Sequence, residues 1–192
     1  MHPNTFKTLV VKTRTVRRFD QAHRVKRADL LDLVNLARLS ASGGNLQPLK
    51  FILSCDPQRN ARIFPCLAWA GYLKTWGGPV EGERPAAYII ILGDTAIRRE
   101  FGCEHGIAAQ SIMLGATAKG LGGCIIGSIK RECLRDVLAI PVKYEILLVL
   151  ALGRPVEKVV LETVKAGDIK YWRDAKGCHH VPKRSMREIV LA

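Results

Sequence analysis

Residues 106–129 read G-I-A-A-Q-S-I-M-L-G-A-T-A-K-G-L-G-G-C-I-I-G-S-I. Ala108, Ala109, Ile112, Met113 and Ala116 recur at helical spacing, and the remaining faces are nearly as apolar. The spacing therefore predicts a helix over 106–119 that is covered on all sides and sits at the centre of a fold. Gly120-Leu121-Gly122-Gly123 stops that helix, and a strand is expected over 124–129. The glycines begin like G-x-G-x-x-G, but the sixth position is Ile125, and the segment leaves a helix to enter a strand. A dinucleotide-binding turn needs the opposite order, so there is no Rossmann fingerprint. No G-x-x-x-x-G-K-[ST] is present, which removes the P-loop classes.

Working outward, a helix is expected over 130–138. Residues 144–152 form the strongest strand in the chain, closed by Gly153-Arg154-Pro155. Its apolar run from Ile146 to Leu152 is about a third of the roughly 20 residues a membrane span needs. Upstream, 88–92 and 49–54 (L-K-F-I-L-S) predict strands. Leu30, Leu33, Val34 and Ala37 predict an amphipathic helix over 29–39. Residues 58–72 read as helical with a break at Pro65, and Phe6, Leu9 and Val10 give a first helix ending near Lys12. Residues 73–85 hold too much Gly and Pro for a regular element, and a loop of that length is usually functional. Helices and strands alternate without regular β-α-β spacing. The expected architecture is an α+β layered domain.

The chain has 192 residues, of which 48% are hydrophobic and 24% charged. One globular domain spanning 1–192 is expected, and disorder is excluded for most of it. The net charge of +13 is concentrated at the ends: residues 1–27 carry a surplus of +7, residues 165–192 one of +4, and the middle only +2. Such arms suit a phosphate-bearing ligand or, equally, a nucleic acid. No apolar stretch lies between Lys7 and Lys12, so no secretory signal is read. Six cysteines without a C-x-x-C pair suit reduced thiols in a cytoplasmic protein. Cys178-His179-His180 and Cys103-x-His105 lack zinc-ligand spacing, and no metal is expected. Ser42 lies in S-A-S-G-G rather than G-x-S-x-G, and His105 reads as structural, so no nucleophile or dedicated acid or base stands out.

Three stretches carry chemistry together. In Arg14-Thr15-Val16-Arg17-Arg18-Phe19 a hydroxyl is flanked by guanidinium groups, a cradle for phosphate; alternation along an extended segment sets Arg14 with Val16 and Arg18. In Ser42-Gly43-Gly44-Asn45-Leu46-Gln47-Pro48 the glycines admit a flat ligand to the backbone, and Asn and Gln offer paired donors and acceptors. Lys183-Arg184 sits in a basic tail.

R-T-V-R-R-F, A-R-L-S-A-S-G-G-N-L-Q-P, G-I-A-A-Q-S-I-M-L-G-A-x-x-K-G-L-G, I-L-L-V-L-A-L-G-R-P and H-H-V-P-K-R resemble, in order and along nearly the whole chain, the FMN-dependent nitroreductase family. The resemblance implies a mixed α+β sandwich, an intertwined homodimer and two FMN molecules at its interface. The family pattern R-x-S-x-R places phosphate and pyrimidine contacts on Arg14, Thr15 and Arg17. The flavin loop matches Ser42, Gly43, Asn45 and Gln47, with Ala41 where the family has Pro. The strand lining the flavin face matches Cys124, Ile125, Ile126 and Gly127, with Ile126 where some relatives carry Glu. The C-terminal phosphate contacts match Lys183 and Arg184. The implied activity is electron transfer from NAD(P)H through FMN to a small planar, electron-poor acceptor such as a nitroaromatic or quinone. Neither nucleic acid nor membrane is then an expected partner.

The residues alone leave two rivals: a flavin carrier or sensor without turnover, and a nucleic-acid-binding module built on the basic arms. Trp76, in the 73–85 loop, is the candidate wall for the acceptor. The tail over 166–192 has too few apolar residues for its own core. It is expected to pack across the dimer partner and to carry Lys183 and Arg184 to a phosphate held also by Arg14.

Overall fold

A computed structural model describes residues 3–191. Its centre is a five-stranded antiparallel sheet. β5 (Tyr144–Pro155) has β3 (Ala87–Asp94) on one side, and β3 in turn pairs with β2 (Leu49–Ser54). The other side of β5 is shared by β4 (Gly122–Ile126) and the two-residue β1 (Phe19–Asp20).

Parity along β3 explains why both central strands are apolar throughout. Ala87, Ile89 and Ile91 face one core, with Leu150 and Leu152 of β5 and with α2 (Arg27–Arg38) and α4 (Glu104–Ala118). Tyr88, Ile90 and Leu92 face a second core, with Val149 and Ala151 and with α3 (Pro57–Ile63) and α5 (Arg131–Leu138). The sheet is thus covered by helices on both faces, an α+β sandwich. α4 crosses α2 closely enough that a Cβ on Gly115 would lie 2.3 Å from Leu36 Cδ1. α1 (Pro3–Lys12) packs against α4 and delivers the chain to β1.

Two expectations need correction. The helix over 58–72 stops at Ile63 and gives way to a 3-10 turn over Phe64–Cys66, because Pro65 has no N–H to continue it. The cysteines are not all free thiols: Cys66 on that turn and Cys133 on α5, 5.7 Å apart at Cα, form a disulfide across 67 residues. Neither cysteine has a partner near in sequence, so only the packing of α5 against the turn reveals the pair. The basic tail is also built into sheet within its own chain. β8 (His179–Lys183) pairs in parallel with β6 (Val159–Thr163) and antiparallel with β7 (Trp172–Arg173), all within one chain. After β8 only α6 (Met186–Ile189) and the residues beyond remain exposed. Among the described residues no helix is long and apolar enough to cross a membrane.

Candidate ligand-binding site

The chain leaves α1 at Lys12 and runs extended beside β4, where Thr15 bridges Gly123 and Val16 N–H donates to Gly123 O at 2.8 Å. Side chains from this segment, α4, β4 and β8 surround a recess of about 330 Å³. Arg14, Thr15, Arg17, Ile125 and Lys183 all line it. Strict alternation would have grouped Arg14 with Val16 and Arg18, and the structure separates them. Arg18 turns outward to pair with Glu83, and Val16 packs over Gly122. Arg14 stays beside the recess because its Nη2 donates to Val10 O in the last turn of α1. R-x-S-x-R spacing about Thr15 puts the first arginine position on Thr13, which lines the recess too and bonds Leu9 O and Thr117 Oγ1.

The electrostatics of the recess are one-sided. Among the described residues no carboxylate lines it. Arg17 is only 8% exposed; its Nη1 meets His179 Nε2 at 3.2 Å and its guanidinium lies 4.7 Å over the Tyr171 ring. Burial, reinforced by Arg17, pushes the His179 pKa down to about 4. His179 is therefore a neutral imidazole at pH 7, accepting from Arg17 at Nε2 and carrying its proton on Nδ1. Glu157, whose side chain is fully enclosed, accepts the backbone N–H groups of Arg17 and Arg18 and pairs with Arg173 at 2.8 Å. It thereby pins the backbone of the segment rather than neutralising the recess.

Three buried nitrogens on the lining residues have no protein partner: Arg14 Nε, Arg17 Nε and His179 Nδ1. With Arg14, Arg17 and Lys183 around the recess and no carboxylate among its described lining residues, the site suits a ligand rich in acceptors and negative charge. A flavin mononucleotide offers both, in its phosphate and in the carbonyls of its pyrimidine edge. The residues fit that group.

The other expected contacts divide. On β4 only Ile125 faces the recess, with 42% of its surface exposed; Cys124 and Ile126 alternate into the core, and Gly127 lies beyond the lining. Burial pushes the Cys124 thiol up to about 11. On β8 alternation presents His179, Val181 and Lys183 to the recess, whereas Arg184 leaves the strand to pair with Glu188. The loop with Ser42, Gly43, Asn45 and Gln47 opens on a different recess of about 160 Å³. There Gly43 N–H donates to Glu104 Oε1 at 2.6 Å and Gln47 N–H to Ser42 Oγ at 2.9 Å. Asn45 and Gln47 both hold positive φ, at 54° and 50°, so the loop is fixed in a left-handed shape before any ligand arrives. α4 contributes Glu104 and Ala108 to this recess but Gln110 and Met113 to the other, and no lining residue is common to both.

Sequence reasoning missed His179, Tyr171, Gln110 and Met113. The signal for His179 was the alternation His179-x-Val181-x-Lys183, which has meaning only once 179–183 is known to be a strand. Tyr171 also touches Tyr72 of the preceding long loop, ring to ring at 5.0 Å. Trp76 of that loop lies under the Arg173 guanidinium at 4.7 Å.

Comparison with known proteins gives the fold a context. The family model described as the nitroreductase family matches residues 10–71 and 82–154. The nitroreductase family protein from Streptococcus pneumoniae TIGR4 superposes with a TM-score of 0.71 at 17% identity, over 97% of this chain and 99% of that one. An FMN-dependent nitroreductase from Clostridium difficile R20291 gives 0.65 at 23% identity, over 78% and 87%. The NADPH:FMN oxidoreductase from Vibrio harveyi, complexed with NAD+, gives 0.61 at 20% identity, over 80% and 69%. At these identities the shared property is the fold.

Proposed function

Since the chain belongs to the nitroreductase family, we propose that it binds FMN and acts as an oxidoreductase, taking electrons from NAD(P)H and giving them to a small planar, electron-poor acceptor such as a nitroaromatic or quinone. The single observation that carries this reading is the recess itself, with Arg14, Arg17 and Lys183 around it and no carboxylate among its described lining residues. FMN, when bound, supplies the redox chemistry, accepting a hydride from the nicotinamide and passing reducing equivalents to the acceptor.

Each residue then has a task. Arg14 and Lys183 hold the phosphate with the Thr15 hydroxyl as a short donor. Arg17, held against the neutral His179, presents a fixed donor to the pyrimidine edge and favours negative charge there. Ile125 forms an apolar wall against the flat ring. No side chain is assigned as an acid or base.

In one chain the loop over 42–47 opens on a separate recess, so the proposal includes a homodimer in which that loop, from a second copy, closes over the flavin with Ser42, Asn45 and Gln47. Exposed apolar side chains on α1 and α2, including Phe6, Leu31 and Leu36, support such an interface. The purified protein should be yellow and, under anaerobic conditions, bleach with NADH or NADPH and recover its colour on addition of a quinone. A yellow protein that never bleaches is a flavin carrier. A colourless protein that takes up no added FMN overturns the proposal.

A further inference from the structure

The opposite face of β8 carries a second constellation. His180 points away from the recess, its ring stacked on Trp172 at 4.8 Å and 5° between planes. Its Nδ1 lies 2.8 Å from Glu162 Oε1 on β6 and its Nε2 lies 3.2 Å from Asp174 Oδ2. The turn between β7 and β8 is closed by Asp174, whose Oδ1 accepts from Cys178 N–H at 2.8 Å and from Lys176 N–H at 2.9 Å. That turn brings the Cys178 thiol back towards the same point. One ligand atom each from Asp174, Cys178 and His180 lies within 4.8 Å of the others.

We propose that Asp174, Cys178 and His180 form a zinc-type divalent-metal site, with Glu162 as the residue that orients its histidine. Imidazole nitrogen, thiolate sulfur and carboxylate oxygen are the donors Zn²⁺ takes, at about 2.0–2.3 Å. Two such donors on a tetrahedral ion stand a little over 3 Å apart, which is the spacing of His180 Nε2 and Asp174 Oδ2. Glu162 holds the Nδ1 proton, so that once Nε2 gives up its own proton its lone pair goes to the metal, the arrangement by which a carboxylate fixes the tautomer of a ligating histidine.

On binding, the ion replaces the hydrogen bond that His180 Nε2–H gives to Asp174, and two protons, one from Nε2 and one from the Cys178 thiol, pass to the buffer. Thiolate and carboxylate together balance the two positive charges. The fourth position faces an open depression of about 520 Å³ rimmed by Lys158 and Lys176, where water completes the shell. The ion would tie the 174–178 turn to β8, the strand that presents Lys183 on its other face, and so stiffen one wall of the recess without touching its ligand.

Sequence spacing alone hid this set, because its three ligands come from a turn and a strand start within seven residues, and Glu162 comes from a parallel neighbour. The site is independent of the proposed oxidoreductase activity. The test uses the full chain, treated with chelator and kept under a reductant that does not bind metal, titrated with Co²⁺ and then Zn²⁺. The expected result is one equivalent per chain, a thiolate-to-cobalt charge-transfer band with tetrahedral visible bands, and displacement by Zn²⁺. Cys178→Ser should abolish the charge-transfer band, and Glu162→Gln, which keeps the shape of the carboxylate, should weaken binding about 10- to 100-fold. Cys103→Ser, at an exposed cysteine elsewhere, should change nothing. Far-ultraviolet circular dichroism checks that each variant is folded. If His180→Ala fails to fold, Cys178→Ser and Glu162→Gln carry the test. Absence of stoichiometric uptake by the wild type, or uptake undiminished by Cys178→Ser, overturns the proposal.

Discussion

Arg17 Nη1 and His179 Nε2, 162 residues apart in the chain, meet at 3.2 Å inside the recess. Arginine cannot give up its proton, so histidine must accept, and the pair exists only with His179 neutral. One residue comes from the segment after α1 and the other from β8, so this contact joins the two basic arms.

The contact sets a pH dependence for the metal-free protein. The folded pKa of His179 lies near 4, against an ordinary 6.5. Between those values the unfolded chain binds the proton and the folded one does not, so stability rises with pH across this window. It is lost as pH falls from about 6.5 to about 4, with a slope of at most one proton, about 1.4 kcal/mol per pH unit. Urea denaturation at several pH values should show the slope, and His179→Gln, which still accepts from Arg17 but does not titrate, should flatten it by up to one proton.

Lys183 and Arg184 should behave differently despite adjacency. Lys183 lines the recess at the end of β8, whereas Arg184 is exposed and engaged with Glu188. Lys183→Ala should raise the FMN Kd about tenfold at low salt, and the difference should shrink as salt screens the exposed cation. Arg184→Ala should leave Kd within about twofold. Fluorescence titration of FMN at two ionic strengths reads both.

The Cys66–Cys133 disulfide closes a loop of 67 residues. Constraining so long a loop in the unfolded chain contributes about 2–4 kcal/mol. Under oxidising conditions the double variant Cys66→Ser, Cys133→Ser should lose that amount in urea denaturation. Under reductant it should match the wild type.

Gly115 marks the closest crossing of α2 and α4. A Cβ there lies 2.3 Å from Leu36 Cδ1 and 2.9 Å from Leu33 Cδ2. Leu36 is partly exposed and can swing away, but Leu33 is fully buried in the core and cannot. Gly115→Ala should therefore destabilise by about 1–3 kcal/mol despite the better helix propensity of alanine. Thermal unfolding of the two proteins reads the difference.

What was legible in the sequence follows from range. β2 was readable to the residue because L-K-F-I-L-S lies between Pro48 and the Asp56-Pro57 stop. The apolar runs of β3 and β5 named the core because both sheet faces are covered. β8 was missed because His179 to Lys183 is largely polar, and β6 (V-V-L-E-T) because it is short; each is a strand only through the other. For the same reason Lys183 and Arg184 looked equivalent; Cys124 and Ile126 looked as available as Ile125 because the strand was expected but not which of its faces meets the recess. A one-residue parity decides each case, and parity needs a strand to be known first.

The end of the chain yields the last prediction. After β8, α6 has a capping box in which Ser185 N–H donates to Glu188 Oε2 at 2.7 Å, so it is a formed turn of helix. Its apolar residues nevertheless stay in solvent, with Ile189 and Val190 more than half exposed and Leu191 at 91%. Exposed apolar area costs about 25 cal/mol per Å², and no described residue covers these side chains. The recess is complete on the side of β8 without them, since Lys183 precedes α6. If they cover a second copy, ending the chain after Ser185 should shift the protein towards monomer while β6, β7 and β8 stay folded. Sedimentation velocity at two concentrations, with circular dichroism for the fold, reads this directly. FMN affinity should fall in parallel with dimer content, because the loop over 42–47 would then be withdrawn from the recess it closes. A truncated chain that stays dimeric and yellow would show that α1 and α2 suffice for the interface.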